Sequence, residues 1–180
     1  MTETSCGSPR AMHVLATERL NLRHLTTDDD AFVLELVNDP SFIRNIGDRG
    51  VRNLADARQY VLNGPVASYE KFGFGMYLVE LKESGVPIGM CGFVKRDWLA
   101  EVDIGFAFLP QFWSKGYALE SAAATKAYGR EVLGLERIVA ITSPDNVDSI
   151  RLLEKIGLRF DGMVRPANEE SDVRLFVSDA

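Results

Sequence analysis

The chain contains few residues suited to covalent or metal chemistry. Among its 180 residues are two cysteines, Cys6 and Cys91, and two histidines, His13 and His24. One cysteine in a polar leader and one in an apolar run make neither a disulfide framework nor a zinc cluster. The histidines lack the spacing that would place both on one helix face as metal ligands. We therefore expect no metal site.

Long apolar runs and basic stretches are also lacking. No run approaches the ~20 residues that a helix needs to span a bilayer, and no basic region followed by an apolar core marks a secretory signal. Lys and Arg number 20 against 26 Asp and Glu, so the net charge is -6. Nucleic-acid binders usually carry the opposite balance. We expect a cytoplasmic protein that binds neither membranes nor nucleic acid.

The composition is that of a globular protein, with 46% hydrophobic and 26% charged residues. Residues 1–11 are small and polar and are predicted to form a flexible leader. No linker, repeat or charge block divides residues 12–180. The sequence therefore predicts one domain after the leader.

Hydrophobic periodicity predicts seven strands and four helices. The strands are expected at 19–23, 74–81, 86–94, 101–109, 137–142, 158–164 and 173–177. The helices are expected from Thr27 to about residue 39, from Asn53 to Gly64-Pro65, at 117–133 and at 147–156. Short turns favour antiparallel pairing, whereas the strand–helix–strand order in the middle indicates a right-handed parallel crossover. The predicted fold class is α/β (α+β), a mixed sheet with helices on both faces.

Residues 106–120 lead from a strand through a short loop into a helix. Gly116 and Ala118 are small, so a ligand can approach the backbone closely. The first amides of a helix are unpaired and carry partial positive charge, which suits a phosphate or diphosphate. Lys115 adds a point charge nearby. The alternative is an ordinary turn in which Gly116 only relieves crowding.

These residues resemble motifs of the GCN5-related N-acetyltransferases (GNAT), in particular the branch that includes ribosomal-protein N-terminal acetyltransferases. The Gln/Arg-x-x-Gly-x-Gly/Ala motif falls on residues 113–118, with Trp113 in place of Gln or Arg. Three more likenesses occur in the expected order: Thr17-Glu18-Arg19-Leu20, Asp103-Ile104-Gly105-Phe106, and Asn146-x-x-Ser149 followed by residues 154–158. Together they cover residues 14–178.

The resemblance implies a mostly antiparallel, twisted seven-stranded sheet, splayed between the family's fourth and fifth strands, here 103–109 and 137–142. Acetyl-CoA would bind in that cleft as co-substrate, without a metal, and an amine would accept the acetyl group directly. The cofactor-binding residues so implied are Ala107, Phe108, Leu109, Trp113, Ser114, Lys115, Gly116, Tyr117, Ala118, Leu119, Asn146 and Ser149. Backbone groups of 107–109 would hold the pantetheine arm, and amides of 114–119 the diphosphate.

An amine attacks a thioester only when it is neutral. Losing its proton at pH 7 costs a lysine-like amine about 4–5 kcal/mol and an α-amine about 1 kcal/mol. Asp103 and Glu101 share one strand face by the period of two, so both are candidates for the general base, directly or through a water. Ser149 is a candidate proton donor to the thiolate. The alternatives are solvated carboxylates and a serine bonded to its own backbone.

Three functional hypotheses remain open on the sequence alone. The first is an N-acetyltransferase acting on a protein N-terminus or a small-molecule amine. The second is a non-catalytic acyl-CoA-binding or regulatory module with the same fold, and the third is an α/β protein for another phosphate ligand. The identity of the acceptor amine and the oligomeric state, including a homodimer, also stay open.

Overall fold

The computed structural model describes residues 11–179, so residues 1–10 of the predicted leader, with Cys6, lie outside the described part. These residues build one eight-stranded sheet in the order β1-β2-β3-β4-β5-β6-β8-β7. The strands are β1 (His13–Ala16), β2 (Leu20–His24), β3 (Met76–Leu81), β4 (Pro87–Val94), β5 (Val102–Phe108), β6 (Ile138–Thr142), β7 (Leu158–Val164) and β8 (Val173–Ser178). The helices are α1 (Asp30–Val37), α2 (Pro40–Asn45), α3 (Leu54–Val61), α4 (Ala67–Phe72), α5 (Tyr117–Glu131) and α6 (Val147–Lys155).

The predicted fold class is confirmed, with one more strand than expected. Each of the seven predicted strands is present, and β1 is the eighth. It is four residues long and lies at the sheet edge, and both of its end residues are exposed. A strand of this kind has no clear alternation of apolar and polar residues by which its sequence could identify it. Because β1 precedes the predicted strands, the family's fourth and fifth strands correspond to β5 and β6.

The first helices begin earlier or end later than the sequence suggested. Thr26, not Thr27, caps the first turn, and its capping box with Asp29 precedes α1. The short helix α2 was not predicted, although its start carries an ordinary signal. Asp39 Oδ1 accepts the backbone N–H of Ser41 at 2.9 Å, and Pro40 occupies the first helical position.

The predicted stop at Gly64-Pro65 is wrong. The chain continues from α3 through a π-helical segment, Leu62–Val66, into α4, and it ends at Gly73 with φ +78°. Proline cannot donate to the preceding turn and its ring crowds a carbonyl in a regular helix. A wider π turn accommodates the buried Pro65 without ending the helix.

Apolar clusters pack on both faces of the sheet. On one face α5 and α6 cover side chains that include Phe93, Ile138 and Phe176. On the other face α1–α3 cover a second cluster around Leu78 and Met90. Within residues 11–179, no helix combines the length and the apolar character that a bilayer crossing requires.

Candidate active site

The sheet opens between β5 and β6. These are the only parallel neighbours in the described sheet, and they pair at just two positions, Val102↔Ile138 and Asp103↔Val139. Beyond these positions β5 continues along β4, whereas β6 continues along β8. A wedge-shaped gap therefore begins after Asp103 and widens toward the loop before α5. This is the splay that the resemblance implied.

Register determines which backbone groups of β5 face the gap. The N–H of Leu109 donates to the carbonyl oxygen of Ile88 on β4 at 3.0 Å. Antiparallel strands alternate between residues that bond their partner strand and residues that turn away from it. Phe106 and Phe108 therefore direct their amide and carbonyl groups toward the gap, while Ala107 bonds toward Met90.

This register determines which residues of the predicted cofactor set have backbone groups that face the gap. Leu109 has no free backbone group for an extended ligand, because its carbonyl also accepts the N–H of Phe112 at 3.0 Å. Ala107 faces β4 rather than the gap. Phe106, which the predicted set does not include, has backbone groups that face the gap. The indole N–H of Trp113 donates to the Phe108 carbonyl at 2.9 Å, which leaves the Phe108 amide for a ligand.

The loop before α5 presents a row of backbone donors. The first backbone bond of the helix runs from Glu120 N to Gly116 O at 3.0 Å, and no side chain caps the helix. Among residues 11–179, the six amides from Ser114 to Leu119 have no acceptor. We call these six N–H groups the amide cradle. Ser114 and Gly116 both have positive φ, 61° and 82°, so the chain turns twice within three residues.

A carboxylate lies close to this cradle but is engaged elsewhere. Glu120, in the first turn of α5, accepts Thr17 Oγ1 at 2.6 Å and Arg19 Nε at 2.8 Å. Burial acts to raise the pKa of Glu120, but these hydrogen bonds outweigh it and hold the pKa below its ordinary value. Thr17 and Arg19 belong to a motif that resembles the family, but their contacts with α5 were not predicted from the sequence.

Asp103 lies where the gap begins. Its side chain is 3% exposed, and its Oδ2 accepts a hydrogen bond from Arg96 Nε at 2.8 Å. Burial raises the pKa of Asp103 to about 6, against the opposing effect of Arg96. A carboxylate with such a pKa is ionised at neutral pH and remains basic enough to take a proton.

Glu101 does not join Asp103 at the gap. It precedes β5, its side chain is 37% exposed, and its nearest cation is Arg137 at 3.9 Å. Two residues of strand place it about 7 Å behind Asp103, on the closed side of the splay. The two carboxylates are therefore about 7 Å apart along the strand, and Asp103 is the one nearer to the gap.

Asn146 and Ser149 lie beyond the open end of β6. Asn146 caps α6, with its Oδ1 accepting the backbone N–H of Ser149 at 3.3 Å. Both residues are half-buried. The cap fixes the first turn of α6, so it also fixes the backbone position from which the Ser149 side chain extends. Helix capping and a ligand contact through the Asn146 side-chain nitrogen are compatible.

Other reactive groups do not contribute to the gap. Cys91 is fully buried in β4, with Sγ 3.4 Å from Thr125 Oγ1, and burial raises its pKa to about 11. A thiol in that state is a poor nucleophile. Within the described residues, no group of three or more His, Cys, Asp or Glu side chains is arranged to hold a metal ion.

Comparison with known proteins identifies the family. The family model of the acetyltransferase (GNAT) domain matches residues 19–159. The uncharacterized N-acetyltransferase YnaD of Bacillus subtilis (strain 168) is 33% identical over 154 residues, covering 86% of each chain. The uncharacterized protein YkkB of the same strain is 30% identical over 158 residues, covering 86% of this chain and 90% of its own.

Solved structures agree. A GNAT-family acetyltransferase from Bacillus anthracis has a TM-score of 0.75 at 31% identity, covering 92% of this chain and 97% of its own. The ribosomal L7/L12 alpha-N-protein acetyltransferase RimL, in complex with coenzyme A, has a TM-score of 0.81 over 93% of this chain and 97% of its own. Its identity of 17% shows a shared fold. The chain belongs to the GNAT family of acetyltransferases and is an enzyme of that class.

Proposed function

We propose that the protein transfers the acetyl group of acetyl-CoA directly to a primary amine, which is a protein N-terminus or a small molecule. The observation that carries the proposal is the amide cradle at the wide end of the gap. Six backbone donors without acceptors, four of them at or beside the start of a 15-residue helix, suit a diphosphate in charge and in geometry.

The gap provides a matching slot for the arm that follows the diphosphate. Phe106 and Phe108 offer backbone groups along the unpaired edge of β5, as a neighbouring strand would. Trp113, whose side chain is 45% exposed, stands between this edge and the cradle. Lys115 adds positive charge, and Asn146 flanks the arm from the β6 side. Ala107 and Leu109 serve as wall residues in this proposal.

The chain's own residues then handle two protons. The amine nitrogen forms a bond to the thioester carbonyl carbon, the carbon–sulfur bond breaks, and the sulfur leaves with its electron pair. In our proposal Asp103 accepts the amine proton through a water, because its buried carboxylate is not open to direct contact. Ser149 donates a proton to the departing thiolate and takes one up from solvent water, so that no serine alkoxide remains, and Asp103 then releases its proton to solvent. Glu101 lies behind the splay, so we give it no part in proton transfer.

Positioning is expected to contribute more than either proton transfer. Holding two reactants in an attack geometry lowers the barrier by roughly 7–11 kcal/mol, whereas a general base contributes about 10²–10⁴-fold. An α-amine also depends less on a general base than a lysine-like amine does, because losing its proton at pH 7 costs only about 1 kcal/mol.

One β-sheet includes residues from His13 to Ser178, and α5 contacts both β1 and β2, which supports the proposal that residues 12–180 form a single acetyltransferase domain. Cytoplasmic placement and a homodimer stay predictions. The amine acceptor is the partner that the proposed reaction requires.

An acetyl-CoA consumption assay tests the proposal, with free CoA measured against a panel of peptide N-termini, amino acids, polyamines and aminoglycosides. We expect turnover with at least one acceptor class and saturable CoA binding by calorimetry. CoA binding without turnover on any acceptor would instead support the non-catalytic module. A thermal shift with another nucleotide but none with CoA would overturn both.

A further inference from the structure

We infer that Arg19 is a positioning residue for the amide cradle, orienting the peptide between Lys115 and Gly116 and withdrawing the Glu120 carboxylate from the bound diphosphate. The inference rests on the proposed function, since it concerns how the cradle is prepared for an anion. Arg19 itself lies in the turn between β1 and β2, about 100 residues away in sequence.

The Arg19 guanidinium makes three separate contacts with the cradle segment. Its Nη1 donates to the carbonyl oxygen of Lys115 at 2.9 Å. Its Nε donates to Glu120 Oε1 at 2.8 Å. Its Cζ lies 4.5 Å from the centroid of the Tyr117 ring, which is within the range of a cation–π contact. One planar group therefore contacts the loop, the first helical residue and the first helical turn.

The contact with Lys115 determines where one cradle donor points. A trans peptide is planar, so the carbonyl of Lys115 and the N–H of Gly116 point to opposite sides. Because Arg19 binds the carbonyl, the Gly116 N–H is directed away from the guanidinium and toward the open side of the loop. Among residues 11–179, no other hydrogen bond holds the Lys115 carbonyl or the Gly116 N–H.

The contact with Glu120 removes a repulsive charge. A carboxylate in the first turn of a helix that binds an anion would repel that anion. Thr17 Oγ1 and the backbone N–H of Arg19 bond Oε2 at 2.6 and 3.1 Å, and Arg19 Nε bonds Oε1. Both oxygens are therefore occupied on the β1–β2 side, and the guanidinium neutralises the charge.

The turn that carries Arg19 is itself held firmly. The carbonyl of Arg19 accepts the backbone N–H of Lys82 at 2.8 Å, and Lys82 Nζ donates to the carbonyl of Thr17 at 2.7 Å. The sheet thus provides a rigid base for the guanidinium. The Arg19 side chain is 42% exposed, and an exposed ion pair adds little to global stability. Its loss is therefore expected to affect the cradle more than the fold.

The experiment compares two acyl donors on the same variants. S-acetylpantetheine carries the thioester and the arm but lacks the diphosphate and the nucleotide. For Arg19→Gln we expect kcat/KM with acetyl-CoA to fall about 10- to 100-fold, mainly through KM. The rate with S-acetylpantetheine should stay at the parent value. Arg19→Lys should recover part of the loss, because an ammonium keeps the charge but not the planar fork.

Arg159→Gln is the matched control, because Arg159 also forms an exposed ion pair, with Asp179 at 3.2 Å, but on β7 at the opposite edge of the sheet. It should behave as the parent with both donors. Equal losses with both donors for Arg19→Gln, or no loss with acetyl-CoA, would overturn the inference while leaving the proposed function intact. A parent protein that neither binds CoA nor consumes acetyl-CoA would overturn the proposed function itself.

Discussion

Arg96 and Asp103 form an ion pair at the point where β5 and β6 separate, with Nε 2.8 Å from Oδ2. The carboxylate is buried, and burial raises its pKa to about 6 even though Arg96 opposes that rise. The pair therefore combines a fixed orientation with a basicity close to neutral pH. A base held in this way should affect both the rate of acetyl transfer and the stability of the fold.

Replacing Asp103 with Asn should slow acetyl transfer by about 10²-fold at pH 7, the lower part of the range for a general base. The loss should shrink as pH rises, because a larger fraction of the amine is then neutral without help. In the parent, kcat/KM should fall below about pH 6 as Asp103 takes up a proton. A pH–rate profile for both proteins checks this.

Glu101→Gln is the control, since Glu101 lies on the closed side of the splay. For this variant, kcat/KM should still fall below about pH 6, as it does for the parent. A profile for Asp103→Asn identical in shape and height to that of the parent would remove Asp103 as the base.

Asp103 should also affect how folding stability depends on pH. Its pKa is about 6 in the folded protein, against 3.8 for an unperturbed aspartate, so the folded state binds the proton more tightly. Its contribution to stability is therefore greatest below pH 3.8, falls between pH 3.8 and 6, and is constant above. The full change is about 3 kcal/mol. In urea unfolding experiments from pH 4 to 7, the parent should lose stability relative to Asp103→Asn as the pH rises. A constant difference in unfolding free energy between the two proteins would contradict this prediction.

Replacing Gly116 with Val should abolish measurable CoA binding. Gly116 has φ +82°, and an added Cβ would lie 3.2 Å from Arg19 Nη2, so both the turn and the guanidinium would have to move. Gly134→Val is the matched control, because Gly134 has φ +70° and no atom within 4 Å of an added Cβ. Both variants should lose similar stability, but calorimetric titration should show normal CoA affinity only for Gly134→Val. Equal affinities would count against the cradle.

Replacing Ser149 with Ala should lower kcat with little change in the KM for acetyl-CoA. A thiolate is a moderate leaving group, so the effect should be smaller than the ~10²-fold typical of general acid catalysis. Steady-state kinetics with acetyl-CoA as the varied substrate checks this. An unchanged kcat would assign the hydroxyl a purely structural role.

Asn146 offers a separate test of the helix that carries Ser149. Asn146→Ala should cost about 1 kcal/mol of unfolding free energy, because the cap to the Ser149 amide is lost. Asn146→Asp should retain the stability, since Asp caps a helix equally well. Urea denaturation distinguishes the two. If both variants matched the parent, the cap would be of no energetic importance.

Local signals predicted much of this protein, and long-range register did not follow from them. Unpaired amides at the start of α5 were predicted because a helix start leaves its first amides without partners, whereas the set from Ser114 to Leu119 was implied by the family resemblance. The pairing of Leu109 with Ile88 was not predicted, because the direction of a strand's backbone groups depends on its partner strand. Arg19 was missed because its contact with Glu120 joins segments about 100 residues apart. The continuation through Pro65 was missed because a π turn has no clear sequence signal.

The separation of β5 and β6 divides the sheet into two unequal wings, β1–β5 and the three strands β6, β8 and β7. Within the sheet, two residue pairs join these wings. Under a stretching force applied across the strands, the wings should part along this line first. A molecule bound between the two wings and hydrogen-bonded to both would resist this separation. The mechanical stiffness of the enzyme would therefore change with every turnover.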